Sequence, residues 1–225
     1  MKERPILFNS AMVRAVLAGT KTQTRRLVKL PHNNPLGVWE PFWFGGENCY
    51  DRHGQDVPGR WTLGHSRTGD IIGCPIAQAG DRLWVREAWR TVAGADTIPP
   101  RDLMNVESSI HYEADESSSA GMGKLRPGMF MPRWASRITL EVTGVRVERL
   151  QEISEADAMA EGIERMPCLV PNTRLWRNYT PGNGWTPSIA IPQNSFRSLW
   201  ESINGPGAWA ANPWVWCVAF QKVTP

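Results

Sequence analysis

Cysteine is scarce in this chain and long apolar runs are missing. The four cysteines, Cys49, Cys74, Cys168 and Cys217, include no close pair, so a disulfide framework is excluded and reduced thiols are expected. Cys49, His53, His65 and Cys74 match no zinc-finger or knuckle interval, and no metal is expected. No segment approaches the roughly 18 apolar residues of a membrane span, so no membrane partner is expected. The opening Met1-Lys2-Glu3-Arg4-Pro5 is charged and only three apolar residues follow it, unlike a signal peptide, which points to a cytoplasmic protein. Also missing are a Gly-x-Gly-x-x-Gly between strand and helix, a Walker loop, His-Glu-x-x-His and Gly-x-Ser-x-Gly, so no nucleotide, zinc or serine-hydrolase signature directs the reading.

Acid is missing locally. Overall the chain is only mildly basic, with a formal net charge of +3 over 225 residues, too little for a nucleic-acid footprint unless it is concentrated. Residues 11–30 concentrate it: Arg14, Lys21, Arg25, Arg26 and Lys29 stand there with no Asp or Glu. Within them, Gly19-Thr20-Lys21-Thr22-Gln23-Thr24-Arg25-Arg26 sets an amine and a hydroxyl three positions apart, an arrangement able to activate a weak oxygen nucleophile. A solvated basic turn is the plainer alternative.

Tryptophan is abundant, with 12 residues, several in Pro/Gly-rich stretches where an indole either pins a loop to the core or offers a flat face to a base. Along the chain, Pro5–Phe8 reads as a strand, and Met12, Val13, Val16 and Leu17 recur at helical spacing before Gly19 as a C-terminal cap. Gln23–Leu30 reads as the next strand. Residues 31–68 show no periodicity and are expected to form a surface insertion folding over the site. Gly69-Asp70 and Gly80-Asp81 each open a turn and then a strand; in the second, Leu83 and Val85 face one way, and Trp84 and Arg86 the other. Arg86 and Glu87 read as a salt bridge in the wall, with a place beside a ligand as the alternative. Ser109–Ala114 is a further strand, and Arg137–Thr143, prolonged by Val145 and Val147, alternates most cleanly; Arg133, Ser136 and Arg137 stand near its start.

Ser154-Glu155-Ala156-Asp157 opens a short helix that Gly162 closes, leaving Glu161 at its negative end, where helix stability does not favour it. A second Pro-rich excursion follows at 165–193, with Trp176, Tyr179 and Trp185 as anchors. Asn194 then caps a helix carrying Phe196, Leu199, Trp200 and Ile203, and Pro213–Phe220 is a buried strand. Short strands, long loops and three short helices indicate a single α+β domain over 1–225: a small closed β-barrel with peripheral short helices and two long loop insertions, at about 31–68 and 165–193.

The run Gly19-x-Lys21-x-x-Thr24-x-Arg26 resembles the Gly-x-Lys-x-x-Glu-x-Arg signature of ASCH domains, a PUA-like β-barrel superfamily associated with RNA and modified nucleosides. Thr24 replaces the signature's glutamate, and threonine there is similar to the small bacterial N4-acetylcytidine amidohydrolases of the superfamily. The wider chain, including Gly80–Glu87 and Asn212–Trp216, looks like the longer phage and prophage ASCH proteins. The resemblance implies an amidohydrolase that removes the acyl group from N4-acylated cytosine nucleosides, with a small-molecule substrate and no cofactor. It carries over Lys21, Thr24 and, from the later helix, Glu161 as catalytic residues, with Glu155 or Asp157 as alternatives to Glu161. Arg26, Trp84, Arg86, Glu87, Arg133 and Ser136 are candidates for substrate binding or support. Burial and the neighbouring Arg25 and Arg26 would have to lower Lys21 from its ordinary pKa of about 10.4 for it to serve as a base. The rival readings are an RNA-binding PUA-like module, a ribonuclease, or a phage structural role.

Overall fold

The computed structural model describes residues 1–47, 49–50, 53–103, 110–115, 121–168, 171, 173–180 and 189–223. Its first unit is strand β1 (Glu3–Leu7) followed by helix α1 (Ser10–Leu17), whose start is set by Asn9: the Asn9 side-chain oxygen accepts the Met12 amide at 2.9 Å. The apolar stripe buries Val13, Ala15 and Val16, and Gly19 ends the helix at φ +73°. Thr20 and Lys21 then return their amides to the Ala15 carbonyl, at 2.9 and 3.0 Å, which fixes where the chain enters β2 (Gln23–Leu27).

Five strands form the main sheet, in the order β1, β6 (Arg82–Arg86), β9 (Thr139–Arg149), β12 (Trp214–Lys222), β2. β1 runs parallel to β6 and the other pairs are antiparallel. The edges are β1 and β2, and no ladder joins them among the described residues. One side chain does: Arg26 of β2 donates from Nη2 to the Leu7 carbonyl of β1 at 2.9 Å.

Alternation along β12 divides the surroundings of the sheet. Val215 and Cys217 pack with Leu150, Ile153, Ala158, Phe196 and Trp200, beneath helices α2 (Glu155–Ala160) and α3 (Pro192–Asn204). Trp216 and Val218 point the other way; Val218 joins Phe8, Val13, Val16, Leu83, Val85 and Leu140 in the main core. Leu83 and Val85 thus face inward as their spacing predicts, while Arg86 lies 4.6 Å from the Trp84 ring on the other side of β6.

Two parts of the insertion expected at 31–68 are regular. β3 (Trp39–Phe44) and β4 (Arg60–His65) pair antiparallel, β5 (Ile71–Gly73) extends them, and Trp39 and Leu63 pack on Val147 and Trp216. Periodicity does not reveal β3 because Trp39, Pro41 and Trp43 alternate with Glu40, Phe42 and Phe44, so both faces carry aromatic residues. This small sheet covers the face of β12 that carries Trp216, opposite the face carrying Cys217 and its cross-strand neighbour Arg25.

The remaining regular pairs are β7 (Trp89–Arg90) with β8 (His111–Tyr112) and, in the second excursion, β10 (Arg165–Met166) with β11 (Leu175–Trp176). Ser109 and Trp185, assigned from sequence to a strand and to an anchor, lie outside the described residues. α3 starts at Pro192 rather than after Asn194, since proline's fixed φ and missing amide suit a first helical turn. The architecture is mixed α+β, with most regular structure in sheets. No helix among the described residues is long and apolar enough to cross a membrane.

Candidate active site

Lys21 reaches the interior because two turns meet there. α2 ends at Glu161, with its amide on the Asp157 carbonyl, and Gly162 follows at φ +81°. A Cβ on Gly162 would lie 2.8 Å from both the Ala15 and Lys21 Cβ atoms, so the α2 terminus can approach this closely only through a glycine. The Thr22 amide donates to Ala160, and Lys21 and Glu161 form an isolated bridge.

Lys21 is 2% exposed. Its Nζ donates to the Gln23 carbonyl at 2.9 Å, the Glu161 carbonyl at 2.7 Å and Glu161 Oε2 at 3.0 Å, the full complement of an ammonium. Burial pushes the Lys21 pKa below its ordinary value; Glu161 opposes the shift, and Arg26 and Arg25 add to it. The expected downward tuning is therefore present, with burial as its main cause.

Glu161 is held from both sides. Arg25 Nη1 donates to its Oε1 at 3.1 Å, so a carboxylate at the unfavourable end of a helix is compensated by two cations from the turn into β2 and from β2 itself. Arg25, with a side chain 0% exposed, also bonds Glu148 through Nε at 3.0 Å and through Nη2, and its Nη2 lies 3.3 Å from Asp157 Oδ2. Arg146 closes the ring, with Nε to Glu148 Oε2 and Nη2 to Asp157 Oδ2, both at 2.9 Å. Burial raises the Glu148 and Asp157 carboxyls, but the arginines outweigh it and hold both below the ordinary carboxylate range. The Cys217 thiol, pushed far up by burial, donates to Glu148 Oε1 at 3.2 Å as a neutral group.

Of the three residues carried over as catalytic, Lys21 and Glu161 are in contact. Thr24 is on the same strand and 1% exposed, opposite Val218, and its hydroxyl makes no hydrogen bond with either of them. Glu155 is exposed, whereas Asp157 belongs to the arginine ring. Arg26 stands 5.9 Å from the Phe8 ring, and the Lys21 amine lies 5.5 Å from the same ring, so Phe8 is a shared floor.

The other supporting candidates gather along β6, tied to one another rather than to Lys21. Trp84 lies between Arg86, which donates to the Met129 carbonyl at 3.2 Å, and Arg133, 5.9 Å from the Trp84 ring and paired with Glu3. Ser136 Oγ donates to the Val85 carbonyl at 2.8 Å. Glu87 pairs with Arg137 and not with Arg86, because adjacent residues of an extended chain point to opposite faces. Burial raises the Glu87 carboxyl against the pull of Arg137.

Arg25, Glu148 and Arg146 were not singled out as site residues from sequence. A signal was available: Arg146 and Glu148 alternate with Val145 and Val147, a charged face on a strand otherwise destined for the interior. No family model, curated protein or solved structure matches this chain.

Proposed function

We propose that this protein is an ASCH-type, PUA-like amidohydrolase that removes the acyl group from N4-acylated cytosine nucleosides, yielding cytidine and a carboxylic acid. The observation that carries the reading is the buried contact between Lys21 and Glu161, residues 140 apart in sequence that the motif resemblance pairs. The barrel part of the reading is supported by the Arg26 to Leu7 bond, which spans the two edges of the main sheet.

In the proposed reaction, Lys21 passes a proton to Glu161 Oε2 along their 3.0 Å bond, leaving a neutral amine and a carboxylic acid. The freed lone pair faces the acid, so Glu161 swings toward the leaving nitrogen as substrate enters. Lys21 then takes the proton of the attacking oxygen, from Thr24 or from a water that Thr24 orients, as that oxygen bonds the acyl carbon. Arg26 stabilises the oxyanion. Glu161 protonates N4 as the carbon–nitrogen bond breaks, restoring the ammonium–carboxylate pair. Where Thr24 is the attacking oxygen, the acyl group is left on its Oγ, and a second pass of the same proton transfers, with water giving its proton to Lys21 and Glu161 protonating the Thr24 oxygen, releases the carboxylic acid. Burial favours this cycle because it disfavours the charged form of Lys21.

The test is a panel of N4-acylated cytosine nucleosides followed by absorbance. Turnover by wild type and its loss in Thr24→Val, which removes the hydroxyl at nearly constant volume, are expected; equal turnover in Thr24→Val or Lys21→Met would sink the mechanism. A second reading, RNA binding, is favoured by Trp43 and Trp61, which are 56% and 39% exposed with ring centroids 5.7 Å apart and provide a surface for base stacking. Salt-sensitive RNA retention with no nucleoside turnover would support it.

A further inference from the structure

We propose that Arg25 is the positioning residue of this site: its guanidinium, locked in a ring with Glu148, Arg146 and Asp157, holds the Glu161 carboxylate in register with Lys21. The role in catalysis rests on the amidohydrolase reading, and the role in holding the carboxylate rests on geometry.

Arg126, also buried, is held by the Ala95 and Ile98 carbonyls, whereas Arg25 is held by carboxylates. Arg25 meets three and divides its fork among them, with Nε and Nη2 on Glu148, Nη2 also near Asp157, and Nη1 left for Glu161 at 3.1 Å. The ring is neutral in itself, with two guanidiniums and two carboxylates, and so is the Lys21–Glu161 pair. The Nη1 bond couples these neutral units, so turning Glu161 toward a substrate breaks one oriented bond without leaving Arg25 unpaired. A planar fork supported on two sides fixes the direction of a carboxylate as well as its charge, which a flexible ammonium does not. The Phe196 ring, 5.8 Å from the guanidinium carbon, covers it from α3.

The charged and titratable groups facing the pair are Arg25 and Arg26 from β2, with Glu148 and Arg146 of β9, Asp157 of α2 and Cys217 of β12 behind Arg25. Arg25 repels the Lys21 ammonium and also draws on the Glu161 carboxylate that stabilises it. Both effects favour the neutral amine, so removing Arg25 makes Lys21 hold its proton to higher pH.

The experiment uses the full chain with Arg25→Met and Arg25→Lys. Lys21 is titrated by nitrogen NMR of its Nζ without substrate, and kcat and KM for N4-acetylcytidine are recorded against pH. For Arg25→Met the expectation is a Lys21 titration and an alkaline limb of kcat both displaced to higher pH, with kcat at least about tenfold lower and KM within about twofold. Arg25→Lys should restore the limb more than kcat, since it keeps the charge and loses the fork. An unmoved Lys21 titration in folded Arg25→Met, or full kcat in Arg25→Lys, overturns the proposal. If Arg25→Met fails to fold, Arg25→Met with Glu148→Gln keeps the charge balance and must show a smaller displacement in the same direction; an unmoved titration there overturns it equally. An inactive wild type would refute the amidohydrolase reading, and the Lys21 titration would still decide the positioning role.

Discussion

Replacing Lys21 by methionine removes the ammonium while keeping most of the side-chain length. Glu161, 4% exposed, then loses the partner on Oε2 and keeps Arg25 on Oε1, while the Gln23 and Glu161 carbonyls each lose a donor. Removing one member of a buried ion pair costs about 3–5 kcal/mol, and the retained Arg25 places this case near the lower end, at about 3 kcal/mol. With a urea slope of about 2–3 kcal/mol per molar, the midpoint falls by about 1 M, read by tryptophan fluorescence and far-ultraviolet circular dichroism. Adding Glu161→Gln should recover at least about half of the loss, because the stranded charge goes with it. The pH dependence supplies a second check. The folded Lys21 pKa lies below the unfolded value, so the unfolded chain binds the extra proton between the two. Stability from this group is therefore full above the ordinary lysine value of about 10.4 and is lost as pH falls through the lower folded one. The stability difference between wild type and Lys21→Met should accordingly widen toward high pH. A variant as stable as wild type, or a difference that does not vary with pH, would refute the account of a buried pair whose desolvation is incompletely offset.

Gly162→Ala combines a left-handed backbone with contacts of 2.8 Å to Ala15 and Lys21, so a loss of about 2 kcal/mol or more is expected in urea unfolding, with deacylation reduced because Lys21 is displaced. Glu148→Gln should destabilise at neutral pH by about 2 kcal/mol, in line with a charged hydrogen bond lost. Because the folded Glu148 pKa is depressed, its contribution is present above about 4.3 and disappears as pH falls through the folded value, so the gap to wild type closes in acid; a constant gap would contradict the assignment.

Local order was legible where one periodicity ruled. Met12 to Leu17 with Gly19 after predicts α1, and the alternation through Val147 predicts β9. The aromatic hairpin at Trp39 to His65 was hidden by aromatic side chains on both faces, and its destination, Val147 and Trp216, is a matter of packing between distant segments. In the site, Lys21 and Glu161 emerged from a motif and from a glutamate on the wrong end of a helix. Arg25, inside the same motif, was weighed only as a neighbouring charge, because strand parity alone does not say which face will be buried.

Composition, caps and spacing were enough to set elements such as α1 and β9 and to name an amine, a hydroxyl and a carboxylate worth watching. Only the folded chain decided that Lys21 bonds Glu161 while the Thr24 hydroxyl bonds neither, and that Arg25 joins Glu148, Arg146 and Asp157 in a closed ring. The reason is physical: propensity and capping act within a few residues, whereas the cost of burying a charge is set by partners the fold brings from more than a hundred positions away.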